Sequence, residues 1–255
     1  VKAKKHLGQH FLTDENIAKK IVEGLDFQPY QYVLEVGPGT GVLTKYLLEK
    51  PTETYVAEID TESIEYLKLH YQKLENKHFT GDFLKINLND IFSGEVAIIG
   101  NFPYNISSQI LFKIIENYQQ IPEMVGMFQK EVAERTAAVP RTKDYGILSV
   151  LVQAYYDVKY LFTVHENVFN PPPKVKSGVI KLTRNRKEGL EGNEILFKQI
   201  VKTGFGQRRK KLSNALKSLD IPEVLKSHAF MDKRAEELSV EDFINFTQEW
   251  KAAKN

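Results

Sequence analysis

The chain has 255 residues, of which 42% are hydrophobic and 27% charged, with a formal net charge of +2 at pH 7. This composition fits one large globular domain with a small one. The absence of cysteine excludes disulfides and cysteine nucleophiles, and the six histidines follow no metal-binding spacing, so we expect no metal. No apolar run reaches the roughly 20 residues of a membrane span, and no signal peptide is recognised. We therefore expect a cytoplasmic protein without a membrane partner.

Predicted strands and helices alternate through the first two-thirds of the chain. The apolar, β-rich runs that predict strands are residues 32–37, 54–60, 78–83, 95–102 and 124–129. Apolar residues at helical spacing lie between them, which predicts a mostly parallel sheet with helices on both faces, a Rossmann-like α/β fold. Two later runs, 158–164 and 177–185, flank the proline-rich "NPPPK" and predict an antiparallel pair at one edge of the sheet.

The composition changes at "RNRKEGLEGNE", after which strand patterns stop and only helical spacing remains. This predicts an α/β domain over residues 1–186 and a small all-α domain over residues 187–255. Within the second domain, Gly204 and Gly206 predict a break in the first helix.

A glycine-rich turn, "LEVGPGTG", places Gly37, Gly39 and Gly41 after the first strand. Glycine tolerates positive φ and lets a ligand approach the backbone closely. A dinucleotide-binding turn requires glycine where this chain has Val42, which argues against a nicotinamide-dependent oxidoreductase. The pattern G-x-G-x-G led by Glu35 is instead that of S-adenosylmethionine methyltransferases.

Two carboxylates follow the next strands along the chain. Glu58 ends the second strand, about twenty residues after the glycine turn, where an acid can accept from ribose hydroxyls. Asp82 follows the third strand, where it could accept from an adenine amino group. Since ligands of open α/β sheets bind at the carboxyl ends of the strands, we expect a nucleoside site there.

The fourth strand ends in the unusual tetrapeptide Asn101-Phe102-Pro103-Tyr104. The Asn101 side-chain oxygen and the carbonyl oxygen before Pro103 can both accept hydrogen bonds, and Tyr104 offers a flat aromatic face. An exocyclic amine on a flipped nucleobase requires this set of groups. Carbonyl dipoles would also stabilise the positive charge that develops on adenine N6 as it takes a methyl group.

These motifs together resemble those of the KsgA-type ribosomal RNA adenine dimethyltransferases, and the likeness runs nearly from end to end. The matching stretches are "HLGQHFL", "LEVGPGTGVLT", "AEID", "GDFL", "NFPYNISS", "QKEVAER", "NVFNPPPKVKSGVI" and "FGQRRKKLSNAL". Where His10 stands many relatives have asparagine, so a backbone contact is expected there. Phe102 replaces a commoner leucine, which leaves the carbonyl acceptor unchanged.

The resemblance implies site residues, a cofactor and a substrate. S-adenosylmethionine would contact His10, Leu12, Gly37, Gly39, Glu58, Asp82 and Asn101. The catalytic residues would be Asn101, Pro103, Tyr104 and Phe169, with Phe169 facing Tyr104 across the target adenine. The substrate would be two adjacent adenines in a hairpin loop near the 3′ end of 16S ribosomal RNA, in an immature small subunit.

Three basic clusters lie along the chain, at residues 2–5, 184–187 and 208–211. With the resemblance in view, phosphates of the RNA are expected to bind Lys2, Lys4 and Lys5, and Arg208, Arg209, Lys210 and Lys211. We expect a monomer. Two alternatives remain: a 23S rRNA adenine methyltransferase of the macrolide-resistance type, and a ribosome assembly factor that acts mainly by binding.

Overall fold

The computed structural model describes every residue from Val1 to Asn255. The chain forms two compact units, the first made of Val1–Glu134 and Asp157–Arg184, the second of Arg135–Tyr156 and Asn185–Asn255. The end of the first unit is close to the predicted boundary at residue 186. The segment 135–156, however, was predicted in the first domain and belongs to the second unit. Its helix is almost wholly apolar and packs on the first long helix of that unit.

The first unit contains a six-stranded sheet. Its strands are β2 (Tyr32–Val36), β3 (Glu53–Ala57), β4 (Val96–Asn101), β5 (Glu123–Gln129), β6 (Tyr156–Val164) and β8 (Ser177–Arg184). A separate antiparallel pair joins β1 (Phe11–Leu12) to β7 (Phe169–Asn170).

Strand order in the large sheet is β3-β2-β4-β5-β8-β6. Strands β2 to β5 pair in parallel, and β8 runs antiparallel to β5. This confirms the predicted Rossmann-like sheet with an antiparallel edge. The central strands are buried on both faces, which explains their continuous apolar runs. Since β2 lies between β3 and β4, the direction of winding reverses beside β2, where open α/β sheets bind their ligands.

The predicted strand at residues 78–83 is reduced to a single bridge between Phe79 and Val56 of β3. Thr80 adds a backbone hydrogen bond of 3.0 Å to the Val56 carbonyl oxygen. Gly81 then takes φ +93°, a left-handed conformation that turns the chain out of the strand.

Helices cover this sheet and are short. They are α1 (Glu15–Glu23), α2 (Thr44–Leu47), α3 (Thr61–His70), α4 (Leu88–Ile91) and α5 (Ser107–Glu116), and α6 (Lys130–Ala137) carries the chain into the second unit. Asp14 caps α1 by accepting the Ile17 N–H at 3.1 Å. The helix then buries Ala18, Ile21 and Val22 in the core of the sheet.

The second unit is helical throughout. Its α-helices are α7 (Ile147–Gln153), α8 (Glu194–Gly206), α9 (Leu212–Ala215) and α10 (Val240–Lys254). The break predicted at Gly204 and Gly206 falls at the second glycine, because α8 ends at Gly206 and Gly204 lies inside the helix. A Cβ at this position would lie 3.2 Å from a Leu212 methyl group, so the glycine permits close packing of α9. No helix of the chain combines the length and apolarity that crossing a membrane requires.

Candidate active site

A cavity of about 260 Å³ opens at the carboxyl ends of β2, β3 and β4. Its walls are residues 6–11, the glycine turn at Gly37 and Gly39, residues 58–59 and residues 101–106. The N-terminal segment, the turn after β2, the end of β3 and the tetrapeptide after β4 thus meet in one place. Parallel pairing brings the last three together, because it places the carboxyl ends of β2, β3 and β4 on the same edge of the sheet.

The glycine turn has the backbone conformation that its sequence predicts. Gly37 and Gly39 have φ values of +69° and +56°, where side chains are disfavoured. A Cβ on Gly39 would lie 3.0 Å from the Phe11 ring. A Cβ on Gly37 would lie 3.7 Å from both the Asn101 carbonyl oxygen and Pro103 Cδ, so the tetrapeptide faces the glycine turn across a narrow gap.

Glu58 is a buried carboxylate on the cavity wall, only 7% exposed. Its two oxygens accept backbone N–H groups from Gly39 at 3.1 Å, Ile59 at 2.9 Å and Asp60 at 3.1 Å. Burial raises the pKa of Glu58, and these bonds partly oppose that shift. A carboxylate offers about four acceptor positions, so about one remains for a ligand hydroxyl.

Glu35 lies beneath the glycine turn and does not line the cavity. It is 1% exposed and accepts a hydrogen bond from the Thr44 hydroxyl. Burial raises the pKa of Glu35 to about 8, and the negative charge of Glu58 adds to the shift. The protonated form therefore predominates at neutral pH.

The corner after β4 is fixed by the fit of one aromatic ring. Phe102 is 1% exposed, packs against Phe128 with 4.9 Å between ring centroids and donates its N–H to the Met127 carbonyl oxygen at 3.1 Å. Gly100 and Gly126 make room for it, since a Cβ on Gly126 would lie 2.0 Å from the Phe102 ring. This packing points the backbone of the corner toward the cavity.

The Asn101 amide is oriented by the N-terminal segment. Its Nδ2 donates to the His10 carbonyl oxygen at 2.9 Å. The other end of the amide, Oδ1, is then a free acceptor, and no donor of the chain bonds to it or to the Phe102 carbonyl oxygen. The site thus presents two acceptors with no partner of their own, as an amine requires.

Tyr104 supplies the aromatic face at the same corner. Its hydroxyl bonds to the Ser177 hydroxyl at the start of β8. Burial raises the pKa of Tyr104, so the phenol stays neutral near physiological pH. The hydroxyl bond to Ser177 holds the ring in place.

The N-terminal segment is tied to the chain just after β3. Lys4 Nζ lies 2.8 Å from Asp60 Oδ1 and 2.9 Å from Glu62 Oε2, and Gln9 donates to Asp60 at 3.2 Å. Burial opposes ionisation of Asp60, but the bond from Lys4, with others from Ser63 and Gln9, lowers its pKa overall. Lys4, expected on the RNA surface, therefore anchors the segment whose residues 6–11 line the cavity.

Two residues expected in the site lie elsewhere. Leu12 and Phe169, each 4% exposed, face each other across the β1–β7 pair and belong to the hydrophobic core. Opposite residues of an antiparallel pair share one face, and neighbours along a strand point to opposite faces. Phe11 therefore lines the cavity while Leu12 and its partner Phe169 are buried.

Asp82 does not line the cavity either. It is half-buried, and its Oδ1 accepts the Leu84 N–H at 3.0 Å. Ile59, in contrast, lines the cavity with 53% of its surface exposed. The only signal for Ile59 in the sequence is its position directly after Glu58.

The four residues of the predicted RNA-binding cluster at 208–211 differ in their exposure. Arg208 donates to the carbonyl oxygens of Tyr145 and Thr142 and to Glu236, the last two at 2.9 and 3.1 Å. It therefore fixes a loop of the second unit. Its three neighbours are exposed, namely Arg209, Lys210 and Lys211.

Three features of the cavity define a class of enzyme. They are a glycine turn without the dinucleotide glycine, a carboxylate at the end of the second strand of the Rossmann-like sheet, and a pair of unpartnered acceptors beside an aromatic ring. They are the parts of a Rossmann-like methyltransferase that binds a nucleoside cofactor and acts on an exocyclic amine.

Comparison with known proteins identifies the family. The model of the ribosomal RNA adenine dimethylases matches residues 1–252, and the chain belongs to this family. As a member it is an S-adenosylmethionine-dependent methyltransferase. It is 60% identical to ribosomal RNA small subunit methyltransferase A of Flavobacterium johnsoniae over 99% of this chain and 97% of that one.

Solved structures agree with this assignment. A dimethyladenosine transferase from Plasmodium falciparum has a TM-score of 0.83 at 26% identity, covering 96% of this chain and 98% of that one. The 23S rRNA methyltransferase ErmE has a TM-score of 0.68 at 24% identity, with coverage of 94% and 99%. The second likeness is one of fold.

Proposed function

We propose that this protein transfers methyl groups from S-adenosylmethionine to N6 of two adjacent adenines in the 3′-terminal hairpin loop of 16S rRNA, during assembly of the small ribosomal subunit. The observation that carries the proposal is that Asn101 and Tyr104 line the same cavity as Gly37, Gly39 and Glu58. The relative in Flavobacterium johnsoniae, whose name places it on the small subunit, supports the choice of RNA.

The residues of the cavity fit the cofactor. Gly37 and Gly39 leave the backbone open to a ligand, the remaining acceptor position of Glu58 suits a ribose hydroxyl, and exposed Ile59 offers an apolar face. His10 would contribute through its backbone, and Asp82 remains the proposed contact for the adenine amino group although it does not line the cavity. When bound, S-adenosylmethionine supplies an electrophilic methyl group.

The corner would bind and orient the amine. Asn101 Oδ1 and the Phe102 carbonyl oxygen accept the two N6–H groups, which turns the nitrogen lone pair out of conjugation and toward the cofactor side of the cavity. Positive charge develops on that nitrogen during transfer, and the two fixed dipoles stabilise it. Pro103 restricts the backbone so that the Phe102 carbonyl group keeps its direction.

Tyr104 would stack on the flipped base. Because Ser177 holds its hydroxyl, the ring presents a preset plane and loses little freedom on binding. Stacking on an aromatic ring is the usual way in which a protein holds an unpaired RNA base.

The partner would be 16S rRNA within an immature small subunit in the cytoplasm, bound by a monomer. Exposed Arg209, Lys210 and Lys211, together with Lys5, would contact phosphates. Arg208 would support the cluster from within the second unit and does not need to touch the RNA.

Methylation of isolated subunits tests the proposal. Purified protein and S-adenosylmethionine carrying a labelled methyl group are incubated with immature small and large subunits, and dimethyladenosine is mapped in each rRNA by mass spectrometry. We expect label on two adjacent adenines near the 3′ end of 16S rRNA and none on the large subunit.

Label confined to the large subunit would replace this function with that of a 23S rRNA methyltransferase. Binding to immature small subunits without any label would instead favour an assembly factor. The matched control is the Asn101→Ala protein, which should bind the small subunit and leave it unlabelled.

A further inference from the structure

His10 contacts three separate parts of the candidate active site. Its carbonyl oxygen accepts from Asn101 Nδ2 at 2.9 Å. Its imidazole stacks on Tyr104 with 5.4 Å between ring centroids and 28° between planes. Its Nδ1 lies 2.8 Å from the Pro171 carbonyl oxygen. Because a carbonyl oxygen can only accept, Nδ1 carries the proton and donates.

These contacts fix the plane of the imidazole. The ring is held through its backbone on one side and by the Nδ1–H bond to Pro171 on the other, so rotation of the ring would break that bond. Tyr104 is in turn held at its hydroxyl by Ser177 and on one face by His10. A stacked base would occupy the opposite face of Tyr104.

The side chain of His10 makes no hydrogen bond to the glycine turn or to Glu58. Its two contacts are with Tyr104, which lines the cavity beside Asn101, and with Pro171. The imidazole therefore contacts none of the residues expected to hold the cofactor, whereas it contacts Tyr104 directly.

We infer that the His10 imidazole is a positioning residue for methyl transfer, which holds the Tyr104 ring in the plane where the target adenine stacks. The inference rests on the proposed function and deepens it, since it assigns the side chain to the base and leaves only the backbone for the cofactor. The His10 carbonyl oxygen orients the Asn101 amide independently, so a change of side chain affects the first role and spares the second.

Three substitutions separate the ring from the hydrogen bond. His10→Phe keeps a ring without the donor, His10→Asn keeps a donor without the ring, and His10→Ala removes both. The free energy of a stacked aromatic pair corresponds to a factor of about three to ten in a rate. We therefore expect kcat to fall by that factor in His10→Ala and His10→Asn, which lose the pair. In His10→Phe we expect kcat to stay within about twofold of wild type. The KM for S-adenosylmethionine should stay within about twofold in all three proteins.

A fluorescent base gives a second readout. With 2-aminopurine at the target adenine, stacking on Tyr104 should quench the signal in wild type and His10→Phe, and less so in His10→Ala. His70 provides a matched control in α3, because it also stacks on a tyrosine, Tyr66, at 3.9 Å and 19° and also bonds through Nδ1 to a carbonyl oxygen at 2.9 Å. His70→Ala should change neither kcat nor quenching.

Unchanged kcat in all three His10 proteins would overturn the inference, as would a raised KM for S-adenosylmethionine with kcat intact. An active His10→Asn beside an inactive His10→Phe would also overturn it, because the donor and not the ring would then matter. If wild type methylates only large subunits, the proposed function fails, and the same variants assayed on that RNA still decide the role of His10.

Discussion

The two halves of the cavity are built in different ways. The cofactor half, Gly37, Gly39 and Glu58, is joined by a hydrogen bond between residues 19 positions apart. The acceptor half, Asn101, Tyr104 and His10, depends on bonds that span 91, 73 and 161 positions. The first half is a property of two neighbouring strand ends, and the second requires most of the first unit to be folded.

The two halves of the cavity should therefore lose their function separately. Backbone amides around a buried carboxylate keep their arrangement when a distant segment moves. Side chains that converge from the N-terminal segment, β4 and β8 lose their arrangement when one of these segments moves. Substitutions in one half are therefore expected to change cofactor binding, and those in the other to change turnover.

The largest effect is expected at Asn101. Removing the amide acceptor in Asn101→Ala should lower kcat by about 100- to 1,000-fold, because a fixed dipole aimed at developing charge contributes that much. Binding of S-adenosylmethionine, measured by calorimetry, should change by less than about threefold. Exposed Asn89 is the control for asparagine loss. A kcat close to wild type would remove Asn101 from the reaction.

Glu58→Gln tests the cofactor half of the cavity. The amide nitrogen would face backbone N–H groups that now donate to the carboxylate, and the bond to a ribose hydroxyl would weaken. We expect affinity for S-adenosylmethionine to fall by about 10- to 100-fold, with titration calorimetry as the measurement. Glu65→Gln, an exposed change in α3, should leave affinity unaltered. Equal affinity in both variants would contradict the assignment.

Glu35 allows a test that needs no substrate. Because burial raises its pKa to about 8, the folded chain retains a proton that the unfolded chain releases at lower pH. Stability should therefore fall as pH rises from about 5 toward 8, by about 1.4 kcal/mol per unit from this group. Glu35→Gln keeps an acceptor for Thr44 and removes the titrating group. The free energy of unfolding of this variant, measured in urea, should therefore rise relative to that of wild type over the same pH range. If the free energies of unfolding of the two proteins changed with pH in parallel, Glu35 would have an ordinary pKa.

The smallest effect is expected at Lys4 and Lys5. These neighbours have the same charge, but Lys4 pairs with Asp60 and Glu62 while Lys5 is exposed. Lys4→Gln should weaken S-adenosylmethionine binding by about three- to fivefold, because it loosens the wall of the cavity. Lys5→Gln should instead reduce the salt dependence of RNA binding. If the two variants behave alike, the ion pair does not stabilise the wall.

Local patterns predicted the cofactor half and much of the fold. Strand ends, the glycine turn and Glu58 follow from periodicity and short-range motifs. Sequence could not tell that Leu12 and Phe169 share the buried face of a two-residue strand pair, because the register of β1 and β7 joins segments more than 150 positions apart. Nor could it separate Lys4 from Lys5, or Arg208 from Arg209, since a run of charges does not show which members have carboxylate or carbonyl partners.

The hydroxyl bond between Tyr104 and Ser177 has a consequence for synthesis of the protein. Ser177 begins β8, the strand that pairs with β5. A nascent chain that has not yet released this residue from the ribosome already contains the glycine turn, Glu58 and the tetrapeptide, but its tyrosine is untethered. Under the proposed function, the newly made enzyme would become active only as β8 joins the sheet.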